Sequence, residues 1–170
     1  MVLKHLKLLE YDDIDKIIIF TGYSDISGIA LADKLRNEYN IEVEMASASY
    51  VVLITTEFDD FKNYKILSSA LKKIDDIVSE DEYIAPIPMS LPEIYCNLFE
   101  VTDIKAVNIN LSAGKVCGEY IWAYPPGIPL IVPGEIISEQ LIEEFKKNIG
   151  IGVNIQSSNM EFPEKIYCQS

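Results

Sequence analysis

Lys16 to Thr21 (KIIIFT) is a continuous apolar, β-branched run too short for a helix, which predicts a central strand covered on both faces. Behind it, Ile26, Ile29, Ala30 and Leu35 recur near helical spacing among charged Asp33, Lys34 and Arg36. An amphipathic helix is predicted to about Asn40, with Ser24 or Asp25 as its N-cap. Ile41 to Ala46 (IEVEMA) alternates apolar with polar, the signature of a strand with one buried face, and Tyr50 to Thr55 (YVVLIT) reads as a further strand. Phe61, Tyr64, Leu67, Leu71, Ile74 and Val78 then keep spacings of three and four, giving a second helix capped by Asp59 or Asp60. This β-α-β-β-α order is that of a split βαβ or ferredoxin-like layer, with two helices on one face of a small sheet.

After Ser79 the composition shifts: Glu80-Asp81-Glu82 closes the helix, and Tyr83 to Met89 carries two prolines that favour an extended path. A boundary here separates a small αβ domain, residues 1–82, from a second α+β domain, residues 83–170. Ser90-Leu91-Pro92-Glu93 matches a capping box and predicts a short helix through Phe99. Val107 to Leu111 and Val116 to Ala123 read as strands flanking a Ser112-Ala113-Gly114 turn. Ser138 is placed to cap a helix carrying Leu141, Ile142, Phe145 and Ile149, with Gly150 at its end. Val153 to Gln156 and Lys165 to Cys168 close the chain as short strands.

With 170 residues, 49% of them apolar, the chain suffices for one ordinary domain or two small units. Lys and Arg number 14 against 27 Asp and Glu, a formal charge of −13 at pH 7 that repels phosphate backbones and anionic lipid alike. Nucleic acid and membrane are therefore excluded as partners. No stretch approaches the ~18 to 20 apolar residues of a membrane span, and Met1 to Glu10 lacks the features of a secretory signal, so the chain reads as soluble and cytoplasmic. Cys96, Cys117 and Cys168 are odd in number and form no C-x-x-C, which points to reduced thiols rather than a disulfide framework or zinc site. His5 is the only histidine, which removes Ser-His-Asp, Cys-His and multi-histidine metal schemes.

Three stretches carry candidate chemistry. Thr21 to Gly28 (TGYSDISG) lies between strand and helix, where free N–H groups hold an anion or simply make a turn. Glu119 stands in an otherwise apolar and aromatic segment, either at a sheet edge or aimed into a pocket, where it would attract a cation through a charge-assisted hydrogen bond. Tyr124 to Glu135 (YPPGIPLIVPGE) sets four prolines in a run apolar enough for a buried strand. Such a path holds a wall in place at low entropic cost, or only packs and turns the chain.

Pro88-Met89-Ser90 with Leu91-Pro92-Glu93, the Ser112-Ala113-Gly114-Lys115-Val116 turn leading to Glu119, and YPPGIPLIVPGE followed by Ile136 and Ile137 carry a specific likeness. On these motifs the chain resembles the C-terminal region of bacterial-type, pyridoxal-phosphate-dependent ornithine/lysine/arginine decarboxylases. Weaker similarity at Asp13 to Ile17 and Val43-Glu44 extends it over residues 12 to 170. The resemblance implies a ferredoxin-like small domain of an aminotransferase-like unit, then the α+β C-terminal domain of that decarboxylase type. It further implies a substrate-binding role for Glu119, Tyr124 and Pro126 towards a basic amino acid, in an enzyme of polyamine synthesis. In that family pyridoxal phosphate is held by a large N-terminal domain through the lysine of an S-x-H-K motif, which this sequence lacks. The expectation is that this chain binds no cofactor alone, is inactive in isolation, and works with that N-terminal domain in a homodimer. The alternative is a non-catalytic small-molecule-binding or assembly module derived from the family.

Overall fold

The computed structural model describes residues 2–83 and 90–170, and the chain divides into two units, Met1–Pro86 and Ile87–Ser170. The extended path expected to Met89 lies, from Ile84 onward, outside the described residues.

The first unit is a four-stranded antiparallel sheet in the order β1-β2-β4-β3, with two helices. Its elements are β1 (Lys7–Leu9), β2 (Lys16–Phe20), α1 (Gly28–Tyr39), β3 (Met45–Ala46), β4 (Tyr50–Ile54) and α2 (Phe61–Asp75). β4 lies between β2 and β3, so β2-α1-β3 is the expected split βαβ. Ile19, Val51 and Leu53 of the sheet pack with Leu31 and Leu35 of α1 and with Ala70, Leu71 and Ile74 of α2. The fourth strand position is filled by β1, from a stretch that carries no strand signal of its own. β1 is exposed along its length, and the chain ahead of it is tied down by Asp75. That carboxylate, 3% exposed, accepts the N–H groups of Lys4, His5 and Leu6 at 2.6, 2.9 and 2.8 Å.

Local chemistry moves some boundaries. Ser27, not Ser24 or Asp25, caps α1, its hydroxyl accepting from the Ala30 N–H. Ser24 instead donates its hydroxyl to the Thr21 carbonyl, and Asp25 accepts from the Ser79 N–H and hydroxyl. α2 is capped by Asp60, which accepts from Lys62 and Asn63 N–H groups. Of Ile41 to Ala46, only Met45–Ala46 joins the ladder. Asn40 leaves α1 in a left-handed conformation (φ 55°), and the Ile41 N–H turns back to the Leu35 carbonyl, so the intervening residues are used to exit the helix. The alternation survives in burial, with Ile41 and Val43 packed on the core and Glu42 and Glu44 exposed.

The second unit contains β5 (Ile104–Asn108), β6 (Ile121–Ala123), β7 (Ile128–Ile131), α3 (Glu139–Gly150), β8 (Ile155–Ser157) and β9 (Lys165–Gln169). β5 pairs with β9, and β7-β6-β8 form a separate antiparallel sheet. Ile121, Ile131, Ile137, Leu141, Ile142, Phe145 and Ile166 make its core, with the Phe162 ring edge-on to Phe145 at 5.6 Å. Ser138 caps α3 as expected, accepting from the Leu141 N–H at 3.0 Å. The strand expected from Val107 begins earlier, at Ile104, and ends in a 3-10 turn over Ile109–Leu111.

No helix follows Ser90-Leu91-Pro92-Glu93. The Glu93 carbonyl accepts from the Ile136 N–H and Ile94 bridges Glu135, so this stretch is drawn out beside 135–136 rather than coiled. Ser90 bonds Glu144 through its N–H and hydroxyl. A capping box does form, but at Asn97 and Glu100 around a single 3-10 turn, Leu98–Glu100. No described helix in either unit is long and apolar enough to cross a membrane.

Candidate functional site

Glu119 precedes β6 and is 2% exposed. Its oxygen Oε1 accepts the Tyr167 N–H at 2.6 Å, while Oε2 accepts the Asn159 amide at 3.0 Å and the Ser157 hydroxyl. All three donors are neutral. The cradle is itself braced: the Asn159 N–H donates to Ser157 Oγ, the Tyr120 N–H to Ser158 Oγ, and the Ser158 N–H to the Tyr120 carbonyl. Gly118 lets β9 and β5 close in, since a Cβ there would stand 2.5 Å from Ile104 Cγ2. Ser157, Asn159 and Tyr167 were not singled out from sequence, because they lie 38, 40 and 48 residues from Glu119 and no local spacing links them.

Tyr124 and Pro126 lie in the turn joining β6 to β7, at the opposite end of β6 from Glu119. Both are exposed, Tyr124 at 51%, so the tip of YPPGIPLIVPGE is a surface turn and burial begins only at Leu130 and Ile131. The Tyr124–Pro125 and Pro125–Pro126 peptide bonds are cis. The turn is held by the Tyr124 N–H to the Asn154 carbonyl and the Gly127 N–H to the Ala123 carbonyl, both at 2.9 Å. Pro129 is tolerated because β7 is an edge strand. A second turn follows at Gly134, whose φ of +92° favours glycine and where a Cβ would stand 2.4 Å from the Cys96 carbonyl oxygen.

Beside this site are two buried thiols, and desolvation pushes Cys117 up to about 12 and Cys168 up to about 11. The Tyr167 phenol donates to Glu161, which raises its own pKa above the ordinary tyrosine value.

In the first unit the Thr21 to Gly28 loop behaves as a turn. N–H groups of Thr21, Ser24, Asp25 and Gly28 go to the carbonyls of Ser49, Thr21, Ser79 and Ala48. A cavity of about 460 Å³ opens in the same unit at the other end of β2 and α1, lined by Ile17, Leu53, Tyr39, Tyr64, Glu42 and Asp59 among others. Glu42 is paired there with Arg36 at 2.8 Å, and Asp59 accepts from Thr56 and Asn63.

Residues 85–149 match the family described as Orn/Lys/Arg decarboxylase, C-terminal domain. The chain is 31% identical to the arginine decarboxylase of Bacillus subtilis (strain 168) over 150 residues, covering 85% of this chain and 31% of that protein. It is 29% identical to the arginine decarboxylase of Bacillus anthracis over the same length, covering 30% of that protein. Among solved structures it superposes on the constitutive lysine decarboxylase of E. coli with a TM-score of 0.66 at 16% identity, covering 95% of this chain and 33% of that one. The Francisella novicida lysine decarboxylase LdcF gives 0.64 at 20% identity, covering 95% and 32%. At such identities the structural likeness speaks for the fold alone. The chain spans about a third of the length of these relatives. Motifs, fold and similarities agree: residues 85–149 carry the C-terminal domain of the Orn/Lys/Arg decarboxylases, within a chain that is similar along 85% of its length to a bacterial arginine decarboxylase.

Proposed function

We propose that the chain supplies the C-terminal part of a pyridoxal-phosphate-dependent decarboxylase of arginine, lysine or ornithine, closing the active site and helping to recognise the far end of the substrate. The observation that carries this reading is the similarity along 85% of the chain to a bacterial arginine decarboxylase. The cofactor does not fit the residues of this chain. A Schiff-base lysine needs a desolvated amine, whereas every lysine here is exposed except Lys34, which is half-buried and paired with Glu38 at 2.6 Å. Asp75, the buried aspartate, is already bound by three backbone N–H groups. Electron-sink chemistry therefore belongs to a separate N-terminal domain, and this chain contributes surface and positioning.

On that reading the exposed Tyr124-Pro125-Pro126 turn is the element offered to the substrate side. A cationic substrate end would meet Glu119 only by displacing Ser157 and Asn159, the two side-chain donors able to rotate away. The three donors on Glu119 favour a second role, in which the carboxylate anchors β9 and the 157–159 turn and acts on substrate only through the surface it holds.

The test is trans-complementation: the B. subtilis arginine decarboxylase shortened by the matching segment is co-expressed with this chain and assayed for CO₂ release. Restored, pyridoxal-phosphate-dependent release is expected, with none from this chain plus cofactor alone. Decarboxylation by the chain alone, or failure to restore a shortened enzyme that its own segment rescues, overturns the proposal. The first unit's cavity, with its tyrosines and carboxylates, favours the small-molecule-binding alternative. Calorimetric titration with arginine, lysine, ornithine and polyamines detects it as heat of binding by the chain alone.

A further inference from the structure

Cys117 and Cys168 face each other as an isolated antiparallel bridge. The Gly118 N–H donates to the Tyr167 carbonyl at 2.8 Å, and the Gln169 N–H to the Val116 carbonyl at 2.9 Å. These bonds flank the pair, one residue to either side, while the Cys117 N–H turns away to the Glu135 carbonyl at 2.7 Å. The two cysteines therefore occupy a non-hydrogen-bonded position, where Cα atoms stand about 4.5 Å apart and both side chains leave on one face. Disulfides form at Cα separations of roughly 4.4 to 6.8 Å. Both thiols are in one apolar cluster, with Ile121, Ile137 and Ile166, at 0% and 1% exposure. The third cysteine, Cys96, is half-buried and packs its carbonyl against Gly134 instead.

We propose that Cys117 and Cys168 are a latent cross-strand disulfide that forms by exchange with a low-molecular-weight disulfide such as oxidised glutathione. One cysteine sulfur, as thiolate, attacks the small disulfide and expels one thiolate, leaving a mixed disulfide. The second cysteine sulfur displaces the other half. Two protons leave the protein and end on two small thiols; the cysteine pair loses two electrons and the small disulfide gains them. Burial keeps both thiols protonated in the closed fold, so exchange runs through local opening rather than at the native surface. The bond closes over the Glu119 cradle, because Glu119 follows Cys117 by two residues and Tyr167, whose N–H holds Glu119, immediately precedes Cys168. This inference rests on the two thiols and the hydrogen bonds around them, and is independent of which substrate the family reading assigns.

The full chain carrying Cys96→Ser, unfolded in urea and refolded in glutathione buffers from reducing to oxidising, removes access as a limit. Expected in the oxidising buffers are a mass lower by two hydrogens, a peptide map joining Cys117 to Cys168, a native near-ultraviolet circular dichroism spectrum and a raised urea midpoint, all reversed by dithiothreitol. The same map on the unsubstituted chain, equilibrated without denaturant, guards against a refolding failure of the variant. Two free thiols, or glutathione adducts without the crosslink, in folded protein from the oxidising buffers overturn the proposal. So does a crosslink found only in protein that has lost the near-ultraviolet signal.

Discussion

Glu119 is an ionisable group taken out of water and surrounded by neutral donors rather than a cation. Burying a carboxylate is unfavourable unless its acceptor sites are filled, and bonds to an ionised acceptor are stronger than neutral ones. Glu119→Gln keeps the volume but turns one acceptor into a donor against the Tyr167 N–H or the Ser157 and Asn159 pair. It is expected to cost about 2 kcal/mol, and Glu119→Ala, which orphans all three donors, about 3 to 4 kcal/mol, read from urea midpoints. Tyr124→Ala, at the exposed end of β6, should fall within about 0.5 kcal/mol of the parent. A Glu119→Gln midpoint equal to that of Tyr124→Ala would remove the anchoring role.

Among the elements, β1 is paired with β2 through the backbone, while the chain leading into it, Lys4 to Leu6, is held by the Asp75 carboxylate from the far end of the unit's sequence, and this makes part of its attachment pH-dependent. Burial tends to raise the Asp75 carboxyl, but the Leu6, Lys4 and His5 N–H groups outweigh it and hold the group below its ordinary value of 3.8. A depressed native pKa means that the stabilisation is complete above the unfolded value and is lost as pH falls through the native one. Below about pH 4, therefore, amide protons of Leu6 to Leu9 should lose exchange protection before those of β2 and β4. Asp75→Asn should produce the same selective loss at pH 7. Equal loss across the whole sheet would show that β1 is held by other means.

The same contact explains what could be read in advance. Elements with a burial pattern of their own were legible: β2 and β4 as short, largely apolar, β-branched runs, and α1, α2 and α3 because burial on one face imposes a repeat of three and four. β1 was not, since its residues are all exposed and its placement comes from pairing with β2 and from the hold of Asp75 on Lys4 to Leu6, neither of which a local pattern records. The Ser90 capping box failed for a related reason: the Ser90 hydroxyl bonds Glu144 and the Glu93 carbonyl accepts from the Ile136 N–H, partners that local spacing does not reveal. Glu119 was conspicuous as a charge in an apolar run, yet its donors come from β8, β9 and the turn between them, beyond any local window. The Tyr124 turn was marked by its prolines, but its exposure follows from the edge position of β7, which only pairing reveals.

For the molecule as a whole the dominant physical fact is charge, with 27 acidic against 14 basic side chains. Five ion pairs are formed among the described residues, and each has at least one partner substantially exposed. Exposed pairs of this kind contribute only about 0 to 1 kcal/mol each, and most of the remaining acids face solvent without a cation. Net repulsion in the compact state therefore outweighs the attractive pairs, and it acts over distances that salt screens. Raising NaCl from ~0.01 M, where the Debye length is about 30 Å, to ~0.15 M, where it is about 8 Å, should raise the urea midpoint, by a free energy on the order of 1 kcal/mol. A midpoint that falls over this range would mean that the five pairs, and not the surplus acid, set the electrostatic balance. The sign also bears on the family role, because a surplus of carboxylates at low screening draws a cationic amino acid towards the protein before any contact is made. The trans-complemented decarboxylase should accordingly show a kcat/KM for arginine that declines with salt while kcat stays level.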